Sequence, residues 1–419
     1  MKNNIIIERN SYLNKLINRI GNGRIKIITG LRRCGKSFLL FNIFKQYLLN
    51  NNVKEEQIIE IKFDDWKNRE LRNPQNCYDF ITQKIKTDNK YYILLDEVQM
   101  MKNFEDVLSG FLHIENADTF VTGSNSKFLS TDIITEFRGR GDEIRLYPLS
   151  ISEIAQIQTF DWDELWQQYY TFGGLPYIQK LENDEEKTHY LQTLFKETYL
   201  QDIIERNKIK NLKELDTLID ILASSIGSLT NAQKLSNTFK SKQGQDISAP
   251  TIKKYFEYLE ESFLIKEVKR YDIRGKHYIN TPVKYYFEDI GLRNAKLNFR
   301  QQEQTHIMEN IIFNELRYRG YSIDIGIIEA REKSSDINKK QYEIDFIANS
   351  GAKKYYIQSA YSIPNQEKLE QEKRVFKLTK DFFKKIIIVH DNIKTNIDEH
   401  GIVFMNIKDF LLNPDSLDF

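Results

Sequence analysis

The run Ile25-Lys-Ile-Ile-Thr-Gly30 passes without a break into Gly30-Leu31-Arg32-Arg33-Cys34-Gly35-Lys36-Ser37, with Phe38 next. An apolar strand, a glycine-framed loop and a helix in that order leave few folds open. Gly30 and Gly35 let the backbone curl so that successive N–H groups point at one spot. There Lys36 adds a positive charge and the Ser37 hydroxyl is placed to hold Mg²⁺. A helix opening at Lys36 aims its positive end at the same place. The pattern predicts a phosphate-binding loop over 30–38 and, with it, an α/β fold built on a parallel sheet.

A chain of 419 residues exceeds one ordinary core, and several domains are expected. A hydrophobic content of 40%, a charged content of 29% and a net charge of +1 give no global signal for nucleic acid or membrane. The first fifty residues nevertheless hold ten Lys or Arg against one Glu, a bias that suits a polyphosphate ligand. Cys34 and Cys77 are the only cysteines, which excludes a disulfide framework or a cysteine metal cluster. No apolar run reaches membrane-spanning length and the residues after Met1 do not read as a signal sequence, so a cytoplasmic setting is expected.

The segment Tyr91-Tyr-Ile-Leu-Leu-Asp96-Glu97 is apolar until it ends in two acids. It reads as a central strand buried on both faces, with its carboxylates at the edge where such sheets bind ligands. Asp96 is expected to support Mg²⁺ with Ser37, and Glu97 to polarise an attacking water. Further strands are expected over 57–63, 119–123 and 143–147. Gly123-Ser124-Asn125-Ser126 ends one of them in small polar groups able to sense a γ-phosphate, or simply to turn. Arg138 and Arg140, in Phe137-Arg-Gly-Arg-Gly141, are of the type that neutralises transition-state charge on a phosphoryl group.

The chain resembles the AAA-type P-loop ATPases of bacteria and archaea whose C-terminal half is a domain of unknown function. GLRRCGKS, ILLDE, TGSNS, GRGDEIRLYPLSISE, the Gly173-Gly-Leu-Pro176 turn and EIDF carry the resemblance, in the family's order and over almost the whole chain. It implies that the first two are the Walker A and Walker B motifs and that the third is a sensor-like strand end with Asn125. It also implies Arg140, then Arg138, as the arginine finger, and a small helical lid opening at Gly173.

Past the lid, 211–265 reads as three helices, the last with Ile252, Tyr255, Phe256, Leu259 and Phe263 along one face. A strand from Leu264, a basic turn around Gly275 and a returning strand complete a winged-helix pattern. If it meets DNA, Thr251, Lys253 and Lys254 face the groove and Arg274 and Lys276 touch phosphates; Glu257, Glu260 and Glu261 oppose this, and a protein client is the other partner class.

Glu309 on a helix, Asp345 in Glu343-Ile-Asp345-Phe and Gln358 on the next strand are arranged like a restriction-endonuclease shell. Ala360, however, stands where that shell needs a lysine. Lys354 shares the face but lies roughly 13 to 20 Å away along the strand. A degenerate shell with a vestigial site is therefore expected, and nuclease activity is not.

The expected organisation is a P-loop ATPase domain over 1–155, a helical lid and connector over 156–208, a winged helix over 209–296 and a small α/β nuclease-like domain over 297–419. The expected function is Mg²⁺-dependent ATP hydrolysis coupled to the C-terminal domains. Two alternatives are a nucleotide-gated DNA- or protein-binding switch with little turnover, and an ATP-regulated nuclease in defence. The sequence leaves the oligomeric state open, and a finger acting in trans would require an oligomer.

Overall fold

The computed structural model describes residues 7–123, 139–157, 161–243, 247–300, 303–331 and 339–418. They form two compact units, one of residues up to Pro148 with Glu261–Phe263, the other of Leu149–Glu260 and Leu264 onward.

In the first unit, β1 (Ile25–Gly30), β2 (Ile58–Lys62), β3 (Tyr91–Asp96), β4 (Ala117–Gly123) and β5 (Gly141–Leu146) form one sheet in the order β2-β3-β4-β1-β5. Every neighbouring pair is parallel. This is the expected P-loop α/β sheet. Every residue of β1 and β3 is buried, which is why these strands read as unbroken apolar runs. Among the buried polar residues of these strands, Lys26 lies fully buried inside β1 and is ion-paired to Asp118 of β4. Asp118 also accepts the Gly21 N–H at 2.7 Å, so one carboxylate ties down the turn that feeds β1. After Gly35, the helix over 36–50 starts at Lys36, widens to a π-turn over Leu39–Phe44 and closes with Lys45–Asn50.

The second unit begins with the helices Ile151–Ala155, Trp162–Phe172 and a third over 184–207, followed by Leu212–Ser224, Ala232–Gln243 and Ala249–Glu261. The last of these ends at Glu261, and Phe263, expected on its apolar face, takes a left-handed φ of 62° just beyond it. The hairpin β6 (Ile265–Asp272) and β7 (His277–Phe287) comes next. Then follow β8 (Ser322–Arg331), β9 (Lys339–Ser350), β10 (Lys353–Ala360), β11 (Lys384–Val389), β12 (Asn396–Ile397) and β13 (Ile402–Asn406). All eight strands belong to one mixed sheet in the order β12-β13-β11-β10-β9-β8-β6-β7. β6 pairs parallel with β8 through Arg270, Tyr271 and Asp272, so the sheet runs uninterrupted across residue 296, where two domains were expected to meet.

The hub of this unit is the short helix Ile290–Lys296, in which every residue from Ile290 to Ala295 is buried. Asp289 caps it, accepting the Leu292 N–H at 3.0 Å, and also accepts the Gly174 N–H of the Gly173-Gly-Leu-Pro176 turn at 2.8 Å. Burial pushes the Asp289 carboxyl up to about 6, against the pull of those N–H donors. Asn294 donates to the carbonyls of Tyr170 and Thr171, and Arg293 to that of Ala223 at 2.7 Å. The glycine turn is thus the socket for this capped helix. Among the described residues no helix is long and apolar enough to cross a membrane.

Candidate nucleotide site

At the end of β1 the chain takes φ 149° at Gly30, 63° at Arg33 and 102° at Gly35. A side chain at Gly30 would put its Cβ 2.2 Å from the Leu146 carbonyl, so only glycine lets the loop pass this close to β5. Leu31 and Cys34 anchor the loop from inside, while Arg32, Arg33 and Phe38 lie exposed. Lys36 is buried, its ammonium donating to the carbonyls of Gly30 at 3.0 Å and Leu31 at 3.2 Å. Arg9 supports the loop from another side, donating to the Cys34 carbonyl at 3.3 Å and the Tyr147 carbonyl at 2.8 Å.

The acids at the end of β3 arrive at the same sheet edge. Ser37 donates to Asp96 Oδ1 at 3.0 Å, and Thr122 of β4 donates to the same oxygen. Thr122 Oγ1 in turn accepts the Glu97 N–H at 3.0 Å. Glu97 adopts the left-handed conformation with φ 51°, uncommon away from glycine and concentrated at functional sites, and its carboxylate accepts a hydrogen bond from Gln99. Burial raises the Asp96 pKa from its ordinary value; the Thr122 and Ser37 hydroxyls pull it down, and the Glu97 and Asp64 carboxylates push it up. A hydroxyl and a carboxylate 3.0 Å apart are hard oxygen donors of the kind Mg²⁺ takes, so the residues present fit the ion.

The structure therefore brings together Gly30 to Ser37, Asp96 and Glu97. It does not bring Arg140 to them. The Arg140 carbonyl accepts the Ile25 N–H at 2.9 Å and Gly141 pairs with Ile25, which places Arg140 at the entry of β1, whereas the loop leaves from its exit. At about 3.3 Å per residue that is on the order of 15 Å along the strand. Asn125 and Arg138 lie outside the described residues. Thr122, Gln99, Arg9 and Asp64 were not anticipated; for Thr122 the signal was its place one residue before Gly123 at a strand end.

In the second unit Glu309 is buried on the helix Gln304–Tyr318 and Asp345 on β9, where Asp345 accepts the Ser359 N–H at 2.8 Å. Gln358 turns to the backbone instead, accepting the Asp345 N–H at 3.4 Å. Lys353 is paired with Asp418 at 2.7 Å and Lys354 lies over the Phe383 ring, so neither supplies the ammonium missing at Ala360. On the hairpin, Arg274 donates to the carbonyls of Glu329 at 3.1 Å and Leu378 at 2.8 Å; Lys276 beside it, and Lys253 and Lys254 on the helix Ala249–Glu261, are exposed.

Residues 22–155 match the model of the AAA domain family, and residues 163–303 match that of a domain of unknown function, DUF8612. An uncharacterized protein of Haemophilus influenzae is 33% identical over 414 residues, covering 97% of this chain and 99% of the relative. One of Methanocaldococcus jannaschii is 28% identical over 374 residues, covering 85% and 79%. Among solved structures, the Aeropyrum pernix ORC1 protein in complex with DNA overlaps 70% of this chain and 92% of its own, with 11% identity and a TM-score of 0.32. A DNA polymerase III gamma subunit-related protein of Thermotoga maritima overlaps 60% and 99%, with 12% identity and a TM-score of 0.27.

Proposed function

We propose that this chain, which belongs to the AAA-type P-loop ATPase family with a C-terminal domain of unknown function, binds ATP with Mg²⁺ at residues 30–38 and hydrolyses it. One observation carries the reading: Ser37, Asp96, Thr122 and Glu97 are linked by hydrogen bonds at the edge of the sheet from which the glycine loop departs. The loop N–H groups and Lys36 take the β- and γ-phosphates, and Ser37 with Asp96 holds the metal. Bound there, Mg²⁺ neutralises charge on the phosphate oxygens. Glu97 orients the water and receives its proton, and Thr122 fixes the two acids relative to each other. With Arg140 at the far edge of the sheet, a finger from that residue reaches a nucleotide only in trans.

Thr122→Val keeps the shape and removes both hydrogen bonds. ATP turnover is expected to fall about ten- to a hundredfold, with affinity for ATP within about threefold of wild type. Equal turnover in the two proteins would separate Thr122 from the chemistry.

A specific observation also favours the switch reading: the Glu97 carboxylate is engaged by Gln99 and so is not aimed solely at a water. The helices over 212–261 with the β6–β7 hairpin are read as a winged helix that meets DNA or a protein client, with Lys253, Lys254 and Lys276 among its exposed cations. Phosphate release from Mg·ATP, with and without duplex DNA at low and physiological salt, separates these readings. Release stimulated by DNA supports an ATPase with a DNA-responsive winged helix; tight ATP binding without release in any condition replaces the enzyme by the switch.

A further inference from the structure

The shell expected to lack a lysine contains one, brought from outside the segment in which it was sought. Lys284 of β7 is 4% exposed, and its ammonium lies 3.0 Å from Glu309 and 2.7 Å from Glu343. The Tyr286 hydroxyl, two residues along the same face of β7, donates to Glu309 at 2.5 Å. The turn after the helix Leu212–Ser224 closes over the same carboxylate: a Cβ on Gly227, at φ 70°, would sit 3.0 Å from Glu309 Oε1. Asp345, buried beside them, accepts its hydrogen bond from the Ser359 backbone.

We infer that Lys284 is the resident cation of this centre, its ammonium filling the place between Glu309 and Glu343 that a divalent metal would need, so that the shell excludes Mg²⁺ and Mn²⁺. The charges agree with this. Burial alone favours a neutral amine, yet the Glu309, Asp345 and Glu343 carboxylates outweigh it and hold Lys284 above its ordinary value. Asp345 already spends a carboxylate oxygen on the Ser359 N–H at 2.8 Å. Among the described residues no group of three or more His, Cys, Asp or Glu side chains is arranged to hold a metal ion. A catalytic lysine must stay near its metal and nucleophile without displacing them. Lys284 instead bridges the very carboxylates that would bind the metal, and joins the hairpin to the helix Gln304–Tyr318 and to β9.

The test uses the full-length protein without nucleotide, in an Asp96→Asn background that silences the other Mg²⁺ site. Mn²⁺ is titrated against the Lys284 protein, Glu309→Gln, Lys284→Met and Lys284→Met/Glu309→Gln, with binding read from the magnetic resonance of free Mn²⁺ and folding from the melting curve. The Lys284 protein is expected to show no site below about 1 mM. Lys284→Met should melt lower, gain one site at least about tenfold tighter, and regain melting temperature with Mn²⁺; adding Glu309→Gln should abolish the gain. The inference is overturned by a Mn²⁺ site in the Lys284 protein that Glu309→Gln removes, by Mg²⁺-dependent cleavage of duplex DNA in the Lys284 protein, or by a folded Lys284→Met that gains nothing. Should Lys284→Met fail to fold, the first two measurements, which need no change at Lys284, still decide it.

Discussion

Lys36→Ala is expected to weaken ATP binding by about two to three orders of magnitude. Its ammonium is buried and held by the carbonyls of Gly30 and Leu31, at the root of the loop whose N–H groups face the proposed phosphates. Two charge-assisted hydrogen bonds to phosphate, each worth roughly 1.5–3 kcal/mol, account for that loss. Equilibrium titration with ATP measures it, and an unchanged melting temperature separates lost recognition from lost folding. An affinity within about threefold of wild type would mean that the nucleotide, if bound, sits elsewhere.

Gly291→Ala is expected to cost the second unit more than about 4 kcal/mol, seen as insoluble protein or a melting temperature lowered by on the order of 10 °C. Its Cβ would lie 2.0 Å from the Phe172 carbonyl and 3.0 Å from Asp289 Oδ1, and neither group has room to retreat because both sit in the socket that receives the helix Ile290–Lys296. Gly174→Ala meets the Leu149 carbonyl at 2.2 Å and belongs to the same class. Gly320→Ala is the control: its φ of 87° carries backbone strain, but nothing lies within 4 Å, and a cost near 1 kcal/mol is expected. Equal melting temperatures for Gly291→Ala and Gly320→Ala would remove the steric argument for the socket.

What could be read from the sequence was what neighbouring residues determine. β1 and β3 stood out because strands buried on both faces are continuously apolar, and the glycine loop and the acid pair followed directly from their ends. The three helices and the hairpin were legible from periodicity and a glycine turn. Contacts set by pairing between distant segments were not. Asp289 meets Gly174 across 115 residues, and Lys284 meets Glu309 across 25, through a hairpin whose parallel partner is β8. Nothing in the local pattern around Ala360 could show that an ammonium from another strand pairs with Glu309 and Glu343. Arg140 illustrates the reverse case: its place in the chain suggested the phosphate, whereas the register of β5 against β1 puts it at the opposite edge.

ATP binding and Mg²⁺-dependent phosphate release, measured in the same samples of wild type and Glu97→Gln, decide whether this chain hydrolyses ATP at the Glu97 site. Glu97 reaches the site through a left-handed backbone and the Thr122 hydrogen bond, neither of which the substitution removes. Binding within about threefold of wild type, with release lowered by about 10² to 10⁴, is the predicted result for a residue that activates water. Release from Glu97→Gln at the wild-type rate would mean that Glu97 does not activate the water.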